Sequence, residues 1–286
     1  MPAQPLPDSG PSPALAHDAQ GDAARLQTEL RDRLPGFAQV DWVAATGSTN
    51  ADLMARARAG AGPALPWLLG AWRQDSGRGR AGRPWANRSG ETLMFSCAFE
   101  VTVPMDKLPS LSPMAGVVIC EALRRLAGDQ AHRLRMKWPN DIQVDGAKLV
   151  GILVETARNP ATGLPVVVIG QGINLCDGQT LSRELGRAVA DWSQIAPEND
   201  PAVLAVSVAT ALQQGLALSA AEGFAPFKTR HAALDALHDT EVNIVDDGQV
   251  IMTGIARGTD EQGRLLLETG QGLRSVVVGE VSVRAA

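Results

Sequence analysis

The chain has 286 residues, 45% of them hydrophobic and 20% charged, the profile of a soluble globular protein with room for one large domain and a small one. Its formal net charge of −5 argues against a general nucleic-acid binder, because such proteins carry a basic excess to engage phosphates. Three cysteines, Cys97, Cys120 and Cys176, sit singly in apolar runs, which offers neither a disulfide framework nor a zinc pattern and reads as buried small hydrophobes in a reducing compartment.

Residues 1–21 are rich in Pro, Ala, Ser and Asp and read as a disordered tail. They have no basic start and no apolar run, so a secretory signal is not expected and the protein reads as cytoplasmic. Asp22 to Leu34 alternates charge and leucine as a helix does. Thr46 to Ala59 reads as a turn and a helix, with Ser48 or Thr49 as N-cap, Asp52 completing a Thr-x-x-Asp capping box and Gly60 just past the end. Trp67–Trp72 and Leu93–Val103 are apolar strands; Leu111–Leu126 is a helix with Ala115, Val118, Ile119, Ala122 and Leu126 on one face. Leu134, Met136 and Trp138 alternate with Arg133, Arg135 and Lys137, giving a strand with one apolar and one basic face. The continuous apolar runs Leu149–Val154 and Val166–Ile169 predict central strands covered on both sides. Pro201 to Ala221 carries no charge and approaches membrane-span length, but its polar interruptions and the spacing of Leu204, Val208, Leu212 and Leu216 suit a packed core helix, so no membrane is expected. From Leu237 the pattern changes to short strands, Val242/Ile244, Val250/Met252, Leu265/Leu267 and Val276/Val278, between glycine-bearing turns. These predict a small barrel or sandwich appended to the main domain.

Chemistry concentrates in four segments. Gln74-Asp75-Ser76-Gly77-Arg78-Gly79-Arg80-Ala81-Gly82-Arg83-Pro84-Trp85 follows a strand. Its Gly77-x-Gly79-x-x-Gly82 spacing fits a dinucleotide fingerprint, yet Arg83-Pro84 and Asn87-Arg88-Ser89-Gly90 resist the helix that fingerprint must open. The alternative is a loop that closes over an anion, glycines bringing backbone N–H groups close and arginines supplying fork-shaped charge. Taken alone, an Arg/Gly cluster favours a solvated basic loop or a nucleic-acid patch. Lys137-Trp138-Pro139-Asn140-Asp141 ends a strand with a cation, an amide and a carboxylate, and Lys148 follows in the same hairpin, inside Gly146-Ala147-Lys148-Leu149-Val150-Gly151-Ile152-Leu153-Val154-Glu155. Two of the chain's four lysines, against 22 arginines, thus fall together, which hints that a compact ammonium is wanted there. Gly170-Gln171-Gly172-Ile173-Asn174 reads as a glycine-bearing turn with one directed amide, and Gly47-Ser48-Thr49-Asn50, alone, as a helix cap.

The order and spacing of these segments resemble the biotin–protein ligase family: a Ser-Thr-Asn turn, a Gly-Arg-Gly-Arg-x-Gly-Arg loop, Lys-Trp-Pro-Asn-Asp, Lys-Leu-x-Gly-Ile-Leu-Val-Glu and Gly-x-Gly-Ile-Asn, from about Thr46 to Asn174. Gly254, Gly263, Leu265–Leu267 and Gly279-Glu280-Val281-Ser282 look like the family's small SH3-like barrel. The resemblance implies an α+β fold: a mixed β-sheet with packed helices of the class II synthetase type over residues 22–236, the catalytic domain, and an SH3-like C-terminal domain over 237–286. It implies that ATP activates biotin to biotinyl-5'-AMP, with Mg2+ leaving on pyrophosphate, and that biotin passes to a lysine of a biotin carboxyl carrier protein. By resemblance Ser48, Thr49 and Gln74 hydrogen-bond the biotin ring, with backbone near Gly77 and Gly151 closing around it. Arg78 and Arg80 cover the carboxylate and phosphates, Lys148 stabilises the acyl-phosphate, Lys137 and Asn140 face the nucleotide phosphates, Trp85 packs on adenine, and Asn174 holds the adenylate. Lys148, Arg78, Arg80 and Lys137 are thus the catalytic candidates. The reaction gathers negative charge, so it needs fixed cations rather than a protein nucleophile. His17, His132, His231 and His238 lie outside the motifs.

Two positions depart from the family pattern: Gly47 stands where aspartate is usual and Ala81 where an arginine is frequent. Some relatives carry an N-terminal DNA-binding helix-turn-helix; about forty residues precede the motifs here, so a form without that domain, and without DNA as a partner, is expected. The resemblance also implies a homodimer paired through the catalytic sheet. Three rival functions remain: lipoate or octanoate transfer on the same fold; a nucleic-acid-binding module using Arg73, Arg78, Arg80, Arg83 and Arg88, against which the acidic charge and the scarcity of stacking aromatics weigh; and a catalytically silent biotin-binding protein, against which Lys148 and the loop arginines weigh.

Overall fold

The computed structural model describes residues 19–60, 62, 64–196, 200–277 and 282–285. Most of the expected tail therefore lies outside the described residues, as do His17, residues 278–281 and the end of the last expected strand. The rest of the tail, from Ala19, is already helical: α1 (Ala19–Arg33) begins there. It is followed by β1 (Gln39–Thr46), α2 (Thr49–Ala59), β2 (Trp67–Gln74), β3 (Thr92–Glu100) and α3 (Leu111–Leu126). Next come β4 (Leu134–Lys137), β5 (Asp141–Val144), β6 (Ala147–Arg158), β7 (Pro165–Asn174), α4 (Gly178–Leu185), α5 (Pro201–Glu222) and α6 (Ala225–Leu234).

The seven strands form one mixed sheet in the order β1-β2-β3-β7-β6-β5-β4, parallel between β1 and β2 and antiparallel elsewhere. Side-chain alternation decides what each face does. Along β3, Leu93, Phe95, Cys97 and Phe99 join the large core beneath α1, α3 and α5, whereas Ala98 turns to a second cluster under α2. Being covered twice explains why these strands read as unbroken apolar runs. Helix α5 is long and apolar enough by composition to cross a membrane. Here it packs on α3 so tightly that a Cβ at Gly215 would lie 2.9 Å from Met114 Sδ and from Val118 Cγ1. Its N-cap is Asp200, whose carboxylate accepts from the amides of Ala202 and Val203 at 2.8 and 3.4 Å.

One strand was missed and three expectations need correction. Strand β1 had no clear signal, because only Val40 and Trp42 of its sequence are buried hydrophobes. Helix α2 is capped by Ser48, but the Thr49/Asp52 capping box does not form. Thr49 is already helical with its amide on Gln74 Oε1, and the Asp52 carboxylate accepts from the Thr46 hydroxyl instead. Gly170 to Asn174 is not a turn but the last half of β7. Its glycines serve close packing rather than chain reversal. Finally, Trp138 does not continue the apolar face of Leu134 and Met136. Pro139 cannot donate to the ladder, β4 stops at Lys137, and the Trp138 indole enters another core.

That core belongs to a five-stranded antiparallel sheet of β8 (Glu241–Asp246), β9 (Gln249–Thr259), β10 (Leu265–Thr269), β11 (Gly272–Val276) and β12 (Ser282–Ala285), ordered β11-β10-β9-β8-β12. Val242, Ile244, Ala256, Leu265, Leu267, Val276 and Val283 pack around Trp138, whose indole N–H donates to Gly263 O at 3.0 Å. The C-terminal sheet is thereby tied to the residue between Lys137 and Asn140.

Candidate active site

A cavity of about 630 Å³ opens on the sheet face not covered by α3 and α5, a size suited to small-molecule ligands. Its wall includes Ser48, Thr49, Gln74, Arg78, Arg80, Trp85, Lys137, Asn140, Lys148 and Gly151, so ten of the twelve predicted site residues converge although they are spread over a hundred positions of sequence. Gly77 and Asn174 are not in the wall. Gly77 O accepts from the Trp85 amide at 2.9 Å and closes the base of the arginine loop. Asn174 lies behind, its amide donating to Lys148 O at 3.3 Å and Ala190 O at 3.1 Å, which clamps the backbone that carries Lys148.

The floor is built by α2, β3 and β7. The Ser48 hydroxyl accepts from the Ala51 amide at 3.4 Å, and the Thr49 amide donates to Gln74 Oε1 at 2.8 Å, joining the helix start to the end of β2. The Thr49 and Ser96 hydroxyls are 2.7 Å apart, Ser96 donates to Asn50 Oδ1 at 2.7 Å, and the Asn50 amide donates to Glu155 Oε2 at 2.9 Å. Space for this cluster comes from glycine: a Cβ at Gly170 would sit 2.2 Å from Asn50 Oδ1. Gly151 and Gly172 are register partners across β6 and β7, and added Cβ atoms there would meet the Trp85 indole at 2.6 and 2.5 Å. Trp85 thus lies flat against a glycine pair, with Lys148 Nζ 5.4 Å from its ring centroid.

The arginine loop forms the roof. It opens no helix; Arg78 bridges Pro84, a short turn spans Arg80–Gly82, and Ala81 adopts φ 53°. Asn87 staples both ends, accepting from the Gln74 amide at 3.1 Å and donating to Gln74 O and Trp85 O at 2.9 and 3.2 Å. Arg78 pairs with Glu155 Oε1 at 3.0 Å. Arg80 donates to Asn140 Oδ1 at 3.1 Å; burial lowers its pKa, Asp141 opposing that shift and Arg83 adding to it. Lys148 pairs with Asp141 at 2.6 Å. Asn140 itself is pinned to β6, its amide donating to Ile152 O while its carbonyl accepts from the Ile152 amide at 3.2 Å. The arrangement offers a hydrogen-bonding floor beside Arg78, Arg80, Arg83, Lys137, Lys148 and Arg187. Among the described residues no cysteine or histidine lines it, and burial raises the thiol pKa of Cys97 and, to about 12, that of Cys120.

Sequence reasoning missed Asn87, Ser96, Glu155, Leu185, Arg187 and Val283, of which all but Asn87 and Glu155 line the cavity. Ser96 was detectable as the one hydroxyl within the apolar run Leu93–Phe99 of β3. Val283, from the C-terminal sheet, had no local signal. Three of the five arginines of the nucleic-acid reading are paired with carboxylates, Arg73 with Asp75, Arg78 with Glu155, and Arg88 with Glu91, Asp177 and Glu184, and Arg80 and Arg83 line the cavity.

A mixed sheet with this cavity and an appended antiparallel sheet defines the class of acyl-activating protein ligases. Residues 61–174 match the biotin/lipoate A/B protein ligase family and residues 238–284 match the biotin protein ligase C-terminal domain. A biotin protein ligase from Aquifex aeolicus, solved with biotin and ATP, superposes with a TM-score of 0.71 at 25% identity, covering 87% of this chain and 100% of that one. The biotin–[acetyl-CoA-carboxylase] ligase of Mycobacterium tuberculosis is 34% identical over 264 residues, 88% of this chain and 92% of that protein. The chain belongs to the biotin protein ligase family. The bifunctional ligase/repressor BirA of Escherichia coli is 33% identical over 213 residues, and the matched region spans 74% of this chain and 65% of that protein.

Proposed function

We propose that this protein activates biotin with ATP and transfers it to a lysine of a biotin carboxyl carrier protein. The observation that carries the reading is the juxtaposition of the Ser48/Thr49/Gln74 floor with Arg78, Arg80, Lys137 and Lys148 in one cavity. In the first step a biotin carboxylate oxygen attacks the α-phosphorus of ATP and the bond to the β-phosphate bridging oxygen breaks, releasing pyrophosphate. In the second, the carrier's lysine amine, as free base, attacks the acyl carbon; AMP leaves with the electron pair and the amine loses a proton.

The chain's own groups supply position and charge. Ser48, Thr49 and Gln74 hold the ring, with backbone at Gly151 at its edge, and Gly77 acts by closing the base of the arginine loop. Arg78 and Lys148 meet the carboxylate and the developing acyl-phosphate charge, while Arg80, Lys137 and Asn140 face the nucleotide phosphates. Trp85 packs on adenine, and Asn174 acts by holding Lys148 in place. Mg2+ enters with ATP as its phosphate counterion; among the described residues no group of three or more His, Cys, Asp or Glu side chains is gathered to hold it otherwise. Cys97 and Cys120 are buried as expected and Cys176 is only half-buried; all three are free thiols, which supports a cytoplasmic setting. Residues 22–236 form the catalytic unit and 237–286 the SH3-like unit. From Leu153 onward β6 is paired on the β7 side only, which supports pairing of two copies through this sheet.

ATP–pyrophosphate exchange with biotin, lipoate, octanoate and no acid, run in parallel, tests the reading. Exchange with biotin alone is expected. Exchange with lipoate instead moves the function to the neighbouring branch of the fold, and none with any acid rejects adenylation.

A further inference from the structure

The polar cluster beneath the floor has a direction. Asn50 can be oriented in one way only, because its amide nitrogen faces Glu155 Oε2 at 2.9 Å and Leu153 O at 3.4 Å, both groups that only accept. Its Oδ1 therefore points to Ser96, and a carbonyl oxygen must receive the single Ser96 proton at 2.7 Å. Ser96 is then left to accept from Thr49, at 2.7 Å. The other protein atom within reach of the Thr49 hydroxyl, Gln74 Oε1 at 3.4 Å, already takes the Thr49 amide and is likewise an acceptor. Both protein partners accept the Thr49 proton, which leaves the hydroxyl oxygen's lone pairs for a ligand.

We propose that Asn50 and Ser96 are specificity-determining positioning residues: they fix the Thr49 hydroxyl as a hydrogen-bond acceptor toward the ligand, so that the cavity selects a ring carrying an N–H donor. The inference rests on the biotin reading of the cavity and deepens it. A cyclic urea offers an N–H to such an acceptor; a dithiolane ring offers none, and a ring oxygen in the same place sets acceptor against acceptor. Thr49, Asn50 and Ser96 are 3, 4 and 0% exposed, so water cannot reverse the order of donors, and an unmet polar contact there carries its full desolvation cost. Glu155 anchors the far end, its second oxygen held by Arg78 at 3.0 Å, and Gly170 gives Asn50 room.

Two variants of the full chain release the Thr49 proton by different routes. Ser96→Ala removes its acceptor. Asn50→Ala keeps both hydroxyls but frees Ser96 to donate to Thr49, and alanine suits the first turn of α2. Binding is measured by calorimetry with biotin and with its two cyclic-carbamate analogues, in each of which one ring N–H is replaced by oxygen. In the parent protein one carbamate is expected to bind at least about a hundredfold more weakly than biotin. In either variant that gap should shrink to roughly tenfold or less, since Thr49 can then donate to the ring oxygen. A merely structural loosening weakens both ligands alike and leaves the ratio unchanged. An unchanged ratio in a variant that still unfolds cooperatively overturns the inference, as does a parent protein that binds both carbamates as tightly as biotin; if one variant does not fold, the other decides. A parent that binds no biotin removes the functional reading itself, and the inference with it.

Discussion

The floor and the roof of the cavity are built on opposite plans. Beneath the ligand space, Thr49, Asn50 and Ser96 are buried in regular elements and their polar groups are engaged in bonds between α2, β3 and β6. Above it, the loop from Gly77 to Trp85 has regular structure only in one short turn, and Arg78 keeps 44% of its side chain exposed while pairing with Glu155. A half-exposed ion pair of this kind contributes about 0–1 kcal/mol, so an incoming anion displaces it at small cost. On the proposed reading, recognition falls to groups that are fixed before the ligand arrives, and charge to a loop held by exchangeable surface contacts.

The sharpest way to break this division is Lys148→Ala, because Lys148 brings charge from a rigid strand rather than from the loop. Biotin-dependent pyrophosphate exchange should fall by about a hundredfold to a thousandfold with cooperative unfolding retained. Normal exchange would remove the lysine from the chemistry. Gly172→Ala attacks the seam between the two regions. Its Cβ would press on Trp85 from 2.5 Å, and overpacking of this sort costs about 1–3 kcal/mol. The apparent KM for ATP is expected to rise more than that for biotin, and an equal rise would show that the seam does not separate the subsites. Arg78→Ala should slow exchange by about tenfold and leave the melting temperature nearly unchanged, in keeping with its exposed pair. A loss of several degrees would make the loop part of the scaffold.

The smallest effect is expected far from both regions. His231 is fully buried on α6, and burial lowers its pKa against the opposing charge of Asp235. The folded ring stays neutral while the unfolded chain takes up a proton near the ordinary value of 6.5, so stability falls as pH drops below that value, until the folded ring also protonates. His231→Leu should remove that part of the pH dependence in denaturant titrations and leave exchange at neutral pH unchanged. Identical pH slopes for the two proteins would place the dependence elsewhere.

Much of this was legible in the sequence because it is local. The α3 boundaries followed from helical spacing, Gly60 from its place after the last turn of α2, and β7 from an apolar run covered on both sides; β6, read the same way, is covered by the large core on one face while Lys148, Gly151 and Leu153 line the cavity. The cations of the site were visible as motifs, since glycine, arginine and lysine cluster where backbone and charge must approach an anion. Strand β1 was missed because α1 and β2 supply its order, through Gln27 Oε1 on the Trp42 amide and the parallel pairing with β2, rather than its own pattern. The glycines of β7 looked like a turn because their reason, room for Asn50 and Trp85, lies in other elements.

The sequence by itself therefore determined the family motifs, their order, and the types of side chain available for the chemistry. Tertiary structure alone decided which of them share a wall and which way their protons point. Ser96 reaches Asn50 across 46 residues and Asn50 reaches Glu155 across 105, joined by sheet order and register. Trp138, one residue from Lys137, finds its partners in a sheet that begins a hundred residues later. Hydrogen-bond direction and packing are properties of neighbours in space, and strand pairing, not sequence distance, sets who those neighbours are.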